Sequence, residues 1–132
     1  KINNHSSSNL INFIGERKHS DIPMLIEGYD IFVFASSCEN MPNTLIEAMA
    51  MRMPIACSKR GPMPEVLQDA GIYFNPEDPS SIEASLGILL KDAALRKNLG
   101  TKAHSLSKKY SWERCAYETF SFLSSVQKRQ LS

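Results

Sequence analysis

The sequence predicts an α/β fold: a parallel sheet of about four short strands flanked by helices, followed by a helical C-terminal segment. Two observations carry the prediction. Short apolar runs alternate with segments of helical periodicity, the order that builds parallel strands covered by helices on both faces. After Phe74 the alternation stops and only helical patterns follow. The runs are Leu10 to Ile14 (LINFI), Ile31 to Ala35 (IFVFA), Ile55 to Ser58 (IACS) and Ile72 to Phe74 (IYF). Continuous apolar runs of this size are those expected of strands buried on both sides.

Between the runs, Ser20 or Asp21 can cap a helix reaching about Glu27, with Pro23 tolerated in its first turn and Gly28 ending it. A second helix is expected to start near Asn43 or Thr44. Three more follow: Pro79 to about Lys91, Ala93 to about Lys109, and Ser111 to about Val126. In the last, Ser111 is a good N-cap and Glu113 lies in the first turn. Trp112, Cys115, Ala116, Phe120 and Leu123 fall at helical spacing. Periodicity alone favours packing of that stripe against its own domain, with an external partner as the alternative.

The 132 residues, 42% hydrophobic and 22% charged, suffice for one soluble domain with a real core and leave no room for a second. Fifteen Lys and Arg against fourteen Asp and Glu give a net charge of +1, so the overall field gives no reason to expect a nucleic acid partner. The apolar runs are far shorter than the roughly 20 residues that cross a bilayer, and no signal-peptide pattern opens the chain, which reads as cytoplasmic. Cys38, Cys57 and Cys115 are odd in number and widely spaced, as reduced thiols are. The three histidines show no metal-ligand spacing, and no metal site is expected.

Chemistry concentrates in Ser36 to Arg52 (SSCENMPNTLIEAMAMR), directly after the run Ile31 to Ala35. In open α/β sheets ligands bind beyond the carboxyl ends of strands, where the loop enters the next helix with unpaired N–H groups facing outward. Met41 to Leu45 (Met41, Pro42, Asn43, Thr44, Leu45) would supply such amides and the positive end of a helix dipole, suited to a diphosphate. Glu39 precedes this helix start and Glu47 lies in its first turn. Carboxylates there repel phosphate unless they hold something else, and a sugar diol is a natural partner. A structural alternative stands beside this reading: Thr44 and Glu47 fit an S/T-x-x-E capping box. Local spacing does not separate the two.

Glu39 and Glu47, with seven residues between them in DIFVFASSCENMPNTLIEAMAMRMPIACS, resemble the E-x7-E signature of retaining glycosyltransferases of the GT-B fold, family 4. Phe13, Ile14 and Gly15 resemble the family's strand ending in F-x-G. Met53 and Pro54 before Ile55 resemble its G-x-P-V-V-A turn. Arg60, Gly61 and Pro64-Glu65-Val66 resemble its G-G-x-x-E-V loop, Gly71 to Pro76 its G-x-L-V-x-P, and Tyr110-Ser111-Trp112 its C-terminal Y-S-W. The similarity covers essentially the whole chain.

The resemblance implies a Rossmann-like, partial donor-binding domain over 1–132. It would lack its first two strands and an N-terminal acceptor domain, with Lys1 to Asn3 as the tail of a preceding helix. Glu47 would bind the ribose hydroxyls of a UDP- or GDP-sugar, and Glu39 would contact the transferred hexose. The amides of Asn43, Thr44 and Leu45 would hold the diphosphate, and Glu16 and Arg17 would lie beside the base. The diphosphate would leave without a metal ion, stabilised by amides and basic side chains. The acceptor would be a sugar or a lipid-linked carbohydrate, as in polysaccharide biosynthesis, and this chain alone would be inactive. From a different class, a non-catalytic α/β interaction module derived from such a domain is the alternative.

Several positions depart from the family pattern. Asn40 and Arg52 stand where it usually has Gly, and Pro62 replaces the second Gly of the G-G loop. A left-handed cap on Arg costs about 1 kcal/mol relative to Gly. No Arg or Lys carries the neutralising role by motif; Lys59 and Arg60 are the candidates for it. In the doubly wound order 3-2-1-4-5-6 the missing strands leave a gap, so Leu10 to Ile14 is expected to move in beside Ile31 to Ala35. The remaining bare edge and the exposed part of the Trp112 and Phe120 face are expected to drive self-association.

Overall fold

The computed structural model describes residues 10–130, so the reading of Lys1 to Asn3 lies outside the described residues. A 3-10 turn, His19–Asp21, leads into α1 (Ile22–Glu27), with Pro23 in its first turn and Gly28 closing it. Then β1 (Phe32–Phe34), α2 (Asn43–Ala50), β2 (Ile55–Ser58), α3 (Met63–Leu67) and β3 (Gly71–Phe74) alternate. The chain ends on α4 (Pro79–Lys91), α5 (Ala93–Ser107) and α6 (Trp112–Gln130). The α/β class and the helical C-terminal segment are as the sequence predicts.

Among the described residues the sheet has three strands rather than four, in the order β1-β2-β3, all parallel. Phe32 sits opposite Ile55, and Ile55 opposite Gly71. Leu10 to Ile14 forms no strand and does not pair with β1: Leu10 and Phe13 are exposed, and only Ile14 is half-buried. Two features explain why that expected pairing fails. The three residues of β1 offer a short ladder, and the helical layer covering one sheet face stops before β1, leaving Val33 43% exposed. A strand added there would have one bare face, so its apolar residues would gain little from joining the sheet. For the same reason β1 is not buried on both sides.

Because side chains alternate along a strand, β2 feeds two cores. Ile55 and Cys57 point into a layer built by Leu45 and Met49 of α2, Met63 and Leu67 of α3, Ile26 of α1 and Ala103 of α5. Ala56 points to the other side, where Phe74, Leu89 of α4 and Leu99 of α5 pack. Each fully buried large side chain here contributes about 1.5–3 kcal/mol. Burial pushes the Cys57 thiol up to about 12 and raises the Tyr73 phenol as well, through desolvation first and then the charges of Cys57 and Asp69.

The C-terminal end of α2 is tightly braced. Arg52 adopts φ 61°, the left-handed cap expected at that position. Its N–H donates to the Met49 carbonyl at 3.1 Å and that of Met53 to Ala48 at 3.1 Å, the paired bonds of a Schellman motif. Helix α5 presses on this turn. Its Gly100 faces the Arg52 carbonyl so closely that any Cβ would strike it, and the His104 ring sits 2.8 Å by Nδ1 from the Ala50 carbonyl.

Helix α6 departs from the expected packing. Ser111 caps it as expected, its Oγ accepting from the Arg114 N–H at 3.1 Å. Hydrogen bonds from its own N–H and from Ser111 hold the Glu113 carboxyl below its usual range. Yet Trp112, Phe120 and Leu123 are exposed, so the stripe does not pack against its own domain.

Candidate functional site

The loop Ala35 to Pro42 leaves the carboxyl end of β1 and delivers the chain to the start of α2. Pro42, buried and lacking an N–H, is the N-cap residue, with φ −81° and ψ 73°. Its carbonyl accepts from the Ile46 N–H at 3.1 Å, closing the first turn. The Asn43 N–H donates to the Met41 carbonyl at 2.9 Å. The amides of Thr44 and Leu45 find no acceptor among the described residues. Of the three amides expected to be free, two are, and Asn43's is spent on its own turn.

The capping-box alternative is overturned by this geometry. Thr44 lies inside the helix rather than at its cap, and the cap residue is a proline with no N–H for Glu47 to receive. The Glu47 carboxyl turns elsewhere: its Oε1 lies 2.8 Å from Nε2 of His19, 28 residues earlier in the chain.

A cleft of about 1180 Å³ opens beside this helix start, somewhat larger than the roughly 300–1,000 Å³ typical of small-ligand sites. Arg17, Met41, Asn43, Thr44 and Glu47 line it, together with His19. Pro42 and Leu45 are buried beneath it and offer backbone rather than side chain. Glu16 is exposed in the adjoining loop but does not line the cleft. Glu39 is half-buried and also stands outside its lining. Its carbonyl approaches Gly61, where φ is 52°, so the two loops beyond β1 and β2 meet there. Gly61 makes the left-handed turn and Pro62 then caps α3, so the loop needs no second glycine.

Sequence reasoning missed the opposite wall, which comes from the start of α6 and the turn before it: Lys109, Tyr110, Trp112 and Arg114. Arg114 pairs with Glu118 at 2.7 Å, whereas Lys109 makes no ion pair among the described residues. Of the two guessed basic residues, Arg60 is held by Glu77 at 2.9 Å. Only the Tyr110-Ser111-Trp112 motif hinted at this wall, and nothing local showed which residues it faces. His19 left no sequence signal at all.

A parallel α/β sheet with an open helix start beyond a strand's carboxyl end, beside a cleft lined by a carboxylate and basic side chains, is the arrangement at which open α/β domains place their ligand sites. The sequence pattern of the glycosyl transferases group 1 matches residues 1–106, and the chain belongs to that family. It is 31% identical over 109 residues to O-antigen chain mannosyltransferase B of Escherichia coli, covering 83% of this chain and 29% of that protein. To sulfoquinovosyl transferase SQD2 of Arabidopsis thaliana it is 27% identical over 105 residues, 76% of this chain and 21% of the relative. It therefore spans less than a third of these relatives. Sucrose-phosphate synthase from Thermosynechococcus elongatus superposes with a TM-score of 0.82 over 93% of this chain and 32% of that one. At 21% identity that likeness speaks for the fold, a GT-B architecture. The C-terminal domain of a glycosyl transferase group 1 family protein from Francisella tularensis matches with a TM-score of 0.63 and 29% identity, over 75% of this chain and 51% of that one.

Proposed function

We propose that this chain holds the nucleotide-sugar donor of a retaining hexosyltransferase, as the donor-binding part of a longer enzyme. The carrying observation is the pair of unpartnered amides, Thr44 and Leu45, at the start of α2, with Glu47 one turn on in the same cleft. The amides and the helix dipole receive the diphosphate of a UDP- or GDP-sugar. Glu47 accepts hydrogen bonds from the ribose diol. Arg17 and Glu16 lie beside the base, and Glu39, in the loop next to Gly61, contacts the transferred hexose. Lys109, missed in the sequence, joins the amides in balancing the charge that develops as the diphosphate leaves, with no metal ion required. The acceptor, a carbohydrate or a lipid-linked one, binds a further domain. The enzyme works in the cytoplasm, and this chain alone transfers no sugar, since half of the cleft that orients the acceptor is elsewhere.

Calorimetric titration with UDP and GDP tests the reading. One of the two should bind, and Glu47→Ala should weaken it at least about tenfold, the loss expected for hydrogen bonds to a charged group. Thermal stability should change little, because Glu47 caps nothing. Unchanged affinity in the variant removes the ribose role. Binding of neither nucleotide favours the interaction-module alternative.

A further inference from the structure

His19 stands outside every motif in the sequence, yet its ring makes the side-chain hydrogen bond that the Glu47 carboxylate has among the described residues. Nε2 and Oε1 are 2.8 Å apart, and a carboxylate can only accept, so the imidazole N–H donates. The backbone around the histidine is itself fixed. His19 opens the 3-10 turn His19–Asp21, closed by the Asp21 N–H on the Lys18 carbonyl at 2.9 Å. That turn runs into α1, whose Ile22 and Ile26 pack on the same cluster as Leu45 and Met49 of α2. Both partners are therefore anchored to one core from separate elements.

We infer that His19 is a positioning residue for ribose recognition: it holds Glu47 Oε1 so that the carboxylate is presented to the 2′- and 3′-hydroxyls. The inference rests on the donor-binding proposal and deepens it. A carboxylate carries about four lone-pair positions. The imidazole takes one, and a vicinal diol needs two, so histidine and ribose bind together without competing. A glutamate side chain has three rotatable torsions, and a partner that fixes its head in advance lowers the ordering cost of binding. The ring is 86% exposed, so the contact is a solvent-screened one and its effect is modest.

The test pairs variants of the chain with two probes: the nucleoside diphosphate it binds, and the 2′,3′-dideoxy form of the same nucleotide. His19→Ala should weaken the ribonucleotide about two- to fivefold, the scale of an exposed charge-assisted pair. It should leave the dideoxynucleotide unchanged. His19→Gln, which still offers an N–H, should recover most of the loss, and His19→Ala should add nothing once Glu47 is Ala. Equal weakening of both nucleotides would reduce His19 to a structural role and overturn the inference. So would unchanged or tighter ribonucleotide binding, the latter marking His19 as a competitor. If Glu47→Ala weakens the ribonucleotide and His19→Ala does not, this inference alone fails. If Glu47→Ala is silent, or neither UDP nor GDP binds, the donor-binding reading fails and takes this one with it.

Discussion

Helices α5 and α6 stand one after the other at the end of the chain, and they behave in opposite ways. α6 carries the large apolar groups, Trp112, Tyr117, Phe120 and Phe122, and exposes all four. α5 meets the domain through Leu99, Gly100, Ala103 and Ser107, and buries all of them. Apolar area therefore does not decide which helix docks. What decides is whether the facing residues are small enough to let two backbones approach, as Gly100 does at the Arg52 carbonyl, and whether a complementary surface exists. α6 has a strong stripe and, among the described residues, no surface to meet it.

Measurements on the thiols, on Gly100 and on Phe120 probe the contrast between the two helices. The largest effect is expected at the thiols. Cys57 lies beneath the layer that α2 and α5 build, whereas Cys115 is exposed on α6. A thiol-labelling reagent should modify Cys115 and Cys38 quickly in the native chain and Cys57 only on unfolding. Burial raises the folded Cys57 from 9.0 to about 12. A raised folded value means the stabilisation is complete below about pH 9 and is lost as pH climbs toward about 12. The loss is on the order of 4 kcal/mol across that window. Denaturant midpoints followed from pH 8 upward should fall, and Cys57→Ala should flatten that slope; an equal slope in the variant would contradict a buried thiol.

Next in size is Gly100→Leu, which drives a side chain into the Arg52 backbone and should cost about 3 kcal/mol in urea unfolding. A near-neutral result would mean α5 does not sit against the α2 turn. Smallest is Phe120→Ser on α6, which should shift stability by no more than about 0.5 kcal/mol. The same change should reduce the concentration-dependent self-association expected of the exposed apolar face, read by light scattering. A large stability loss there would place α6 against the domain after all.

Much of this was legible in the sequence because local signals and tertiary outcome agreed. Asp78 and Asp92 cap α4 and α5 through their side chains, accepting from Ser80 and Leu95, and both helices begin where the patterns begin. Ile55 to Ser58 reads as a strand buried on both sides and is wholly buried. Leu10 to Ile14 shows the opposite case: its apolar pattern is strand-like, but a strand needs a neighbour to pair with, and a place beside the short β1 would leave one face bare. The short helix Met63–Leu67 was hidden by its prolines, which suit a first turn as well as a loop. At the candidate site the loop-to-helix setting and the two glutamates were readable. Which amides stay open was not, since that depends on how Pro42 turns. Juxtapositions made across 28 or more residues, such as the hydrogen bond of His19 with Glu47 and the facing of Lys109 and Thr44 across the cleft, leave no trace in local spacing.

The brace at the far end of α2 matters to anyone reading mutants by phenotype. The helix is eight residues, about 12 Å long, and stiff over that length. Its cleft-facing start is aimed by what grips its other end: the Arg52 turn, Gly100 and the His104 ring. Under the donor-binding proposal, a selection for lost nucleotide binding should thus return two families of hits on one short rod. One family touches ligand. The other never comes near it, leaves the amides chemically intact, and acts by tilting the barrel that points them.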